Sequence, residues 1–240
     1  FILEPVGGAS TGALVPPAGY MKAVREVCDR YGVLLIMDEV MTGAGRTGAF
    51  LGCEHWNTRP DIVVMSKGFA AGYAPLGGIV APDWIVDPVL DQGGFAHGFT
   101  YAGNPLACAA GLAVLEEIDR QDLITNAAQM GFDLKTRLHR LMDKHEIIGD
   151  VRGKGLLLAF EFMSDRDTKA PLDPSLRAFD RFVQIAYENG LIVYSRRTRD
   201  GVEGDHILVC PPLIVTETHL AEIEEGLDLS LRQFTAEIGV

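Results

Sequence analysis

Asp38 closes the apolar run Val33-Leu34-Leu35-Ile36-Met37, and Lys67 stands two residues past a second run that ends at Met65. Unalternating runs of this kind suit parallel strands covered on both faces. In open α/β sheets the ligand lies in the crevice outside the carboxyl ends of the strands. Glu4, Asp38, Ser66 and Lys67 are therefore expected to converge on one crevice. On position alone, Asp38 is a solvated acid and Lys67 an ordinary surface amine. Their shared crevice gives them a second possibility. A lysine amine forms a Schiff base with an aldehyde cofactor. An acid beside a pyridine nitrogen keeps that nitrogen protonated, so that the ring accepts electrons. Lys67 and Asp38 thus have the chemistry that pyridoxal 5'-phosphate requires.

The elements that must position these residues alternate as in an α/β layer. Phe1–Val6 reads as a strand ended by Gly7-Gly8, and Pro16-Pro17 opens a helix that Gly32 closes. Asp61–Met65 is a further strand and Gly77–Val80 a weaker one. Asn104 is placed to cap an Ala-rich helix that runs to Ile118, with Pro105 in its first turn. A long helix from about Leu123 to His145 leads to a region of different character. There, Gly155–Phe162, Leu191–Tyr194 and His206–Cys210 are strand candidates, between helices near Leu176–Glu188 and Glu217–Phe234. Thr168–Pro174 and Arg196–Asp205 read as loops. The expected organisation is residues 1–118 as part of a large α/β domain and 119–240 as a linking helix with a smaller α+β domain.

Gly43-Ala44-Gly45-Arg46-Thr47-Gly48 fits the dinucleotide fingerprint G-x-G-x-x-G and follows a strand. That fingerprint needs a helix N-terminus for the pyrophosphate. The residues after Gly48 have only a weak helical pattern, and Asp38-Glu39 would set two carboxylates beside the phosphates. A tight loop near a ligand fits these glycines better than a nicotinamide site.

At this point a resemblance covers the chain. Glu4-Pro5-Val6-Gly7-Gly8, Leu35–Val40, Gly45-Arg46-Thr47-Gly48, Pro60-Asp61, Ser66-Lys67-Gly68 and His97–Pro105 occur in the order found in class III pyridoxal-phosphate-dependent aminotransferases. Val151–Leu156 and Cys210-Pro211-Pro212-Leu213 look like that family's small-domain signatures. The resemblance, to the C-terminal portion and its ω-amino acid and amine:pyruvate subgroup, implies a fold type I enzyme working as a homodimer or higher oligomer with shared active sites. It implies Lys67 as Schiff-base lysine and general acid/base, with Asp38 paired to the pyridinium nitrogen. Val40 would pack on one ring face, and Glu4 would stand on the substrate side. Thr100, with the backbone of Phe99, would bind the phosphate of the neighbouring subunit's cofactor. The implied reaction transfers an amino group from an amine or ω-amino acid to an oxo acid such as pyruvate. An aminomutase of the same fold and a catalytically impaired homologue acting as a binding module are the alternatives.

The sequence departs from the family at Gly7 and Met41, where many members have Gln, and Met41 removes a polar contact expected near the cofactor's ring hydroxyl. The Glu–Arg pair of relatives acting on γ-aminobutyrate or ornithine is replaced by Ala9 and Leu208. A substrate carboxylate would then be held elsewhere, and Arg196, Arg197 and Arg199 are candidates for a mobile guanidinium. The family's phosphate turn and ring-stacking aromatic come from upstream sequence. Phe1, within a core strand and not Met, also suggests upstream chain as a partner in the active species.

Composition narrows the remaining classes. Hydrophobic residues make up 48% and the formal net charge is −12. That acidity argues against a nucleic-acid partner, because backbone binding needs Lys and Arg in excess. The apolar runs are far shorter than a bilayer span and no secretory signal opens the chain, so a cytoplasmic protein without membrane contact is expected. Cys28, Cys53, Cys108 and Cys210 lack the spacing of a zinc site and read as small buried residues.

Overall fold

The computed structural model describes residues 1–198 and 203–239. They fall into two compact units, Phe1–Pro5 with Pro16–Ile124, and Val6–Val15 with Thr125–Val240.

The first unit is built on a four-stranded sheet in the order β1 (Ile2–Leu3), β2 (Ile36–Asp38), β3 (Ile62–Met65) and β4 (Gly78–Val80). β1, β2 and β3 are parallel, and β4 returns antiparallel to β3. Helix α1 (Tyr20–Tyr31) connects β1 to β2 and buries Met21 and Cys28 against Leu35, Met37 and Cys53. It begins at Tyr20, after Gly19 in the left-handed region (φ +83°), rather than at the Pro pair. Gly32 ends it in the same region, at φ +64°.

The strands are shorter than their apolar runs. Val33 and Leu34 are exposed, and Leu35 donates its N–H to the Asp61 carboxylate (2.7 Å) rather than to a strand neighbour. Regular pairing therefore starts at Ile36. Helices α2 (Asp83–Asp91) and α3 (Pro105–Arg120) complete the unit. The Asn104 side chain accepts from Leu106 N and Ala107 N, which caps α3 as the sequence indicated.

The second unit opens with α4 (Leu123–Lys144, in this unit from Thr125) and carries an antiparallel sheet. Its strands are β5 (Ile148–Lys154), β6 (Leu157–Phe162), β7 (Tyr194–Thr198) and β8 (Glu203–Val209), in the order β5-β6-β8-β7. α5 (Ala178–Glu188) and α6 (Glu217–Ile238) cover it. Phe160, Phe162, Phe182 and Phe234 form the centre of its core, with edge-on ring contacts.

Three sequence expectations are corrected here. β5 was not foreseen, because Gly149 and Gly153 dilute its strand signal. Gly153 sits at φ +121°, and a Cβ there would stand 2.1 Å from Leu157 O, so the bend against β6 requires glycine. The charged stretch read as a loop is partly strand, since Arg196, Arg197 and Thr198 pair with His206, Asp205 and Glu203. Of the four cysteines only Cys28 and Cys53 are buried, whereas Cys108 and Cys210 are exposed.

Candidate active site

The parallel register brings the chemistry-bearing residues to one end of the first sheet. Asp38 stands opposite Val64, and the ladder continues for one step as Glu39 N donates to Val64 O (2.8 Å). Glu4 follows Leu3, the partner of Met37, so β1 delivers Glu4 to the level of Asp38. Lys67 follows β3 after Met65 and Ser66.

Asp38 is half-buried, and its Oδ1 accepts from Val40 N (3.0 Å). Among the described residues nothing donates to its other oxygen, which leaves that oxygen open to a ligand. Val40, itself half-buried, is positioned by the same short turn.

Lys67 is exposed and sits at φ +42°, a left-handed conformation that a side chain with a Cβ adopts at a cost of about 1–2 kcal/mol. Its neighbours hold it there. Ser66 Oγ donates to Leu76 O (3.0 Å), Phe69 N donates to Ser66 O (2.9 Å), and Ala70 N donates to Lys67 O (3.2 Å). Helix α3 backs this turn through Gly111, where a Cβ would meet Leu76 Cδ2 at 2.4 Å. The Lys67 ammonium donates to Met41 Sδ at 2.8 Å. Met41, known from the sequence only as a lost polar contact, is in fact the partner of the lysine.

Beside them lies a residue that the sequence marked only as a carboxylate unfavourable to a dinucleotide. Glu39 is buried, and its carboxylate accepts from Thr42 Oγ1, Gly52 N (2.7 Å) and Cys53 N (2.9 Å). These bonds tie down the glycine loop, in which Ala44, Gly45 and Gly48 have φ of +54°, +86° and +84°. The loop runs into a short 3-10 turn at Gly52–Trp56 and not into an α-helix, so it lacks the helix N-terminus that a dinucleotide needs. The sequence cues to Glu39 were its place just before the glycine loop and one step after Asp38, on the opposite face of an extended segment.

Phe99 and Thr100 lie in an exposed turn ahead of α3, with Phe99 edge-on to His97 (5.1 Å between centroids). Neither makes a hydrogen bond to Asp38 or Lys67.

In the second unit the arginines separate. Arg197 is held by both oxygens of Asp205, one at 3.0 Å, donates to Pro174 O (3.3 Å) and lies over Phe179. Its Nε and Nη2 are thus engaged by Asp205 and Pro174. Arg196 is exposed and rests over the Tyr194 ring, 4.8 Å from its centroid. Arg199 lies outside the described residues. Where relatives have the Glu–Arg pair, the buried His206 reaches Ala9 O through Nε2 (2.8 Å), and Arg152 donates to Gly12 O (2.7 Å).

These residues fit pyridoxal phosphate: an amine on a strained turn, an acid with one open oxygen at the end of the adjacent parallel strand, and the half-buried apolar Val40 two residues after that acid. Among the described residues no group of His, Cys, Asp and Glu could hold a metal, and no helix is long and apolar enough to cross a membrane.

The family model for class III aminotransferases matches residues 1–231. The chain belongs to that family. It is 41% identical over 245 residues to the taurine–pyruvate aminotransferase of Bilophila wadsworthia, covering 100% of this chain and 53% of that protein. Among solved structures it resembles a transaminase from the marine bacterium Virgibacillus, with a TM-score of 0.93 and 35% identity over 99% of this chain and 53% of the other. It also resembles an amine transaminase from an uncultivated Pseudomonas species in its PLP-bound form, at a TM-score of 0.87 and 41% identity over 97% and 51%. The fold is that of the fold type I transaminases, and the class III family depends on pyridoxal phosphate. The chain spans about half the length of the relatives it matches.

Proposed function

We propose that the intact protein is a transaminase that moves an amino group from an amine or ω-amino acid to an oxo acid such as pyruvate. The observation that carries this reading is the placement of Asp38 at, and Lys67 just past, the ends of adjacent parallel strands, in a chain that matches the class III family over residues 1–231. The taurine–pyruvate relative and the amine transaminase support the substrate classes.

Pyridoxal phosphate, once bound, supplies the carbonyl that takes up the amino group and the ring that accepts electrons. Lys67 would hold the cofactor through its amine and, once that amine is free, would move a proton at the substrate carbon as general acid/base. Asp38 would keep the ring nitrogen protonated. Val40 packs against the ring, and Glu4 lines the substrate side. Thr100 and the Phe99 backbone hold the phosphate of a second subunit's cofactor, which requires a homodimer or larger oligomer. Arg196, rather than the Asp205-bound Arg197, is the described arginine that would bind the acceptor's carboxylate. The active species is proposed to be cytoplasmic and to contain sequence beyond this chain, the latter supported by the half-length match.

The test is transfer itself. The intact protein, given an amine donor and pyruvate, is expected to form alanine only when both are present. Conversion of a single substrate without an acceptor would contradict the proposal and favour an aminomutase.

A further inference from the structure

Lys67 has no carboxylate partner among the described residues, although Asp38 ends the adjacent strand. Its ammonium is held by the thioether of Met41, with Nζ 2.8 Å from Sδ. Both sides of this contact are fixed by their backbones. On one side, the Val40 N–H folds back on Asp38 Oδ1, Gly43 N donates to Glu39 O (2.8 Å) and Thr42 Oγ1 binds the Glu39 carboxylate, which sets the turn that carries Met41. On the other, Ser66 is bonded to Leu76 O and Lys67 is held in its left-handed conformation. Met41 is half-buried, so the sulfur has a defined seat.

We infer that Met41 is a positioning residue for the Lys67 amine, holding it by a weak and uncharged contact until the cofactor arrives. This rests on the reading that Lys67 carries the cofactor. The chemistry favours a thioether for such a role. An ammonium has three donors and no acceptor, and thioether sulfur is a weak acceptor with no donor of its own. The contact orients one N–H and leaves the others free. A carboxylate in the same place would form an ion pair that has to be broken each time the amine leaves. Leucine in the same place would fill the volume without directing the amine. Methionine directs it and releases it.

The experiment compares wild type with Met41→Leu and Met41→Gln in the intact, cofactor-free protein. Leu keeps the apolar volume, a swap that a core usually tolerates, and removes the acceptor. Gln restores an acceptor through its amide oxygen. Two rates are read. The first is reductive methylation of Lys67 by formaldehyde and cyanoborohydride, followed by peptide mass without any cofactor. The second is the growth of the lysine-bound chromophore after pyridoxal phosphate is added. Met41→Leu is expected to speed methylation and to slow cofactor capture, each by about three- to tenfold, the range of one modest hydrogen bond. Met41→Gln is expected to return both rates towards wild type. Wild-type rates in Met41→Leu, or no recovery in Met41→Gln, would overturn the inference, the second by showing that only packing matters. Borohydride labelling of wild type at a lysine other than Lys67 would instead remove the premise, and the inference with it.

Discussion

The buried Glu39 carboxylate accepts the backbone N–H of Cys53 at 2.9 Å, next to that of Gly52. One acidic side chain therefore fastens the glycine loop to the end of β2, where Asp38 stands. Glu39→Gln keeps the shape but turns an amide N–H toward these donors. A buried group left without its partner costs about 1–3 kcal/mol. The melting temperature is expected to fall by roughly 2–12 °C, measured by differential scanning calorimetry. An unchanged transition would show that the loop does not depend on Glu39.

The same environment protects a thiol. Burial, and then the Glu39 charge, push the Cys53 thiol up to about 12. The thiolate is the reactive form, so Cys53 is expected to resist iodoacetamide at about pH 8 in the native protein and to react once it is denatured. Peptide mapping after brief labelling checks this.

Asp38→Asn separates charge from shape. The Asn side-chain oxygen can still accept from Val40 N, so stability should change little. The charge proposed to hold the ring nitrogen protonated is lost, and turnover is expected to fall at least ~10²-fold, the scale of one preorganised electrostatic contact. Near-normal kcat would remove Asp38 from the mechanism.

The two described arginines are expected to fail in different ways. Arg197 and Asp205 are 10% and 6% exposed, so Arg197→Ala strands a buried carboxylate, which costs about 3–5 kcal/mol. Thermal melts should detect that loss. Arg196→Ala, in contrast, should leave the melt unchanged and raise KM for pyruvate by about tenfold while sparing a neutral amine donor. Identical effects from both substitutions would contradict the division of roles.

The second unit should show an acid-sensitive anchor. Burial alone would raise the Asp228 carboxyl, but hydrogen bonds from Lys144 (2.6 Å) and His145 (2.7 Å), and the charges of Lys144 and Arg232, outweigh it and hold the group below its ordinary value of 3.8. A carboxyl depressed by folding stabilises fully above its unfolded value and loses that contribution as the pH falls through the folded one. Asp228→Asn should therefore be less stable than wild type near pH 7, with the gap closing below about pH 4. Denaturant titrations across that range measure it.

The placement of Asp38 and Lys67 was legible because the sequence carries their strands in continuous stretches. Apolar runs ending at Met37 and Met65 announce parallel strands, and the strand-end rule then places Asp38 and Lys67 together. Asn104-Pro105 announces the cap of α3 in the same local way. What could not be read depends on contacts distant in sequence. Met41 meets Lys67 across two strand ends, Arg197 meets Asp205 across a ladder, and Glu39 meets Gly52 and Cys53 across a loop. Each partner is fixed by tertiary register and not by spacing. β5 was hidden for another reason, because its glycines lower strand propensity and are needed only where the bend at Gly153 brings the chain close to Leu157.

The most direct measurement is reduction of the intact, cofactor-loaded protein with borohydride, followed by peptide mass mapping. A pyridoxyl group on Lys67, absent from Lys67→Ala, is the predicted result. A pyridoxyl group on Lys154, Lys169 or any other lysine, with Lys67 unmodified, would contradict it.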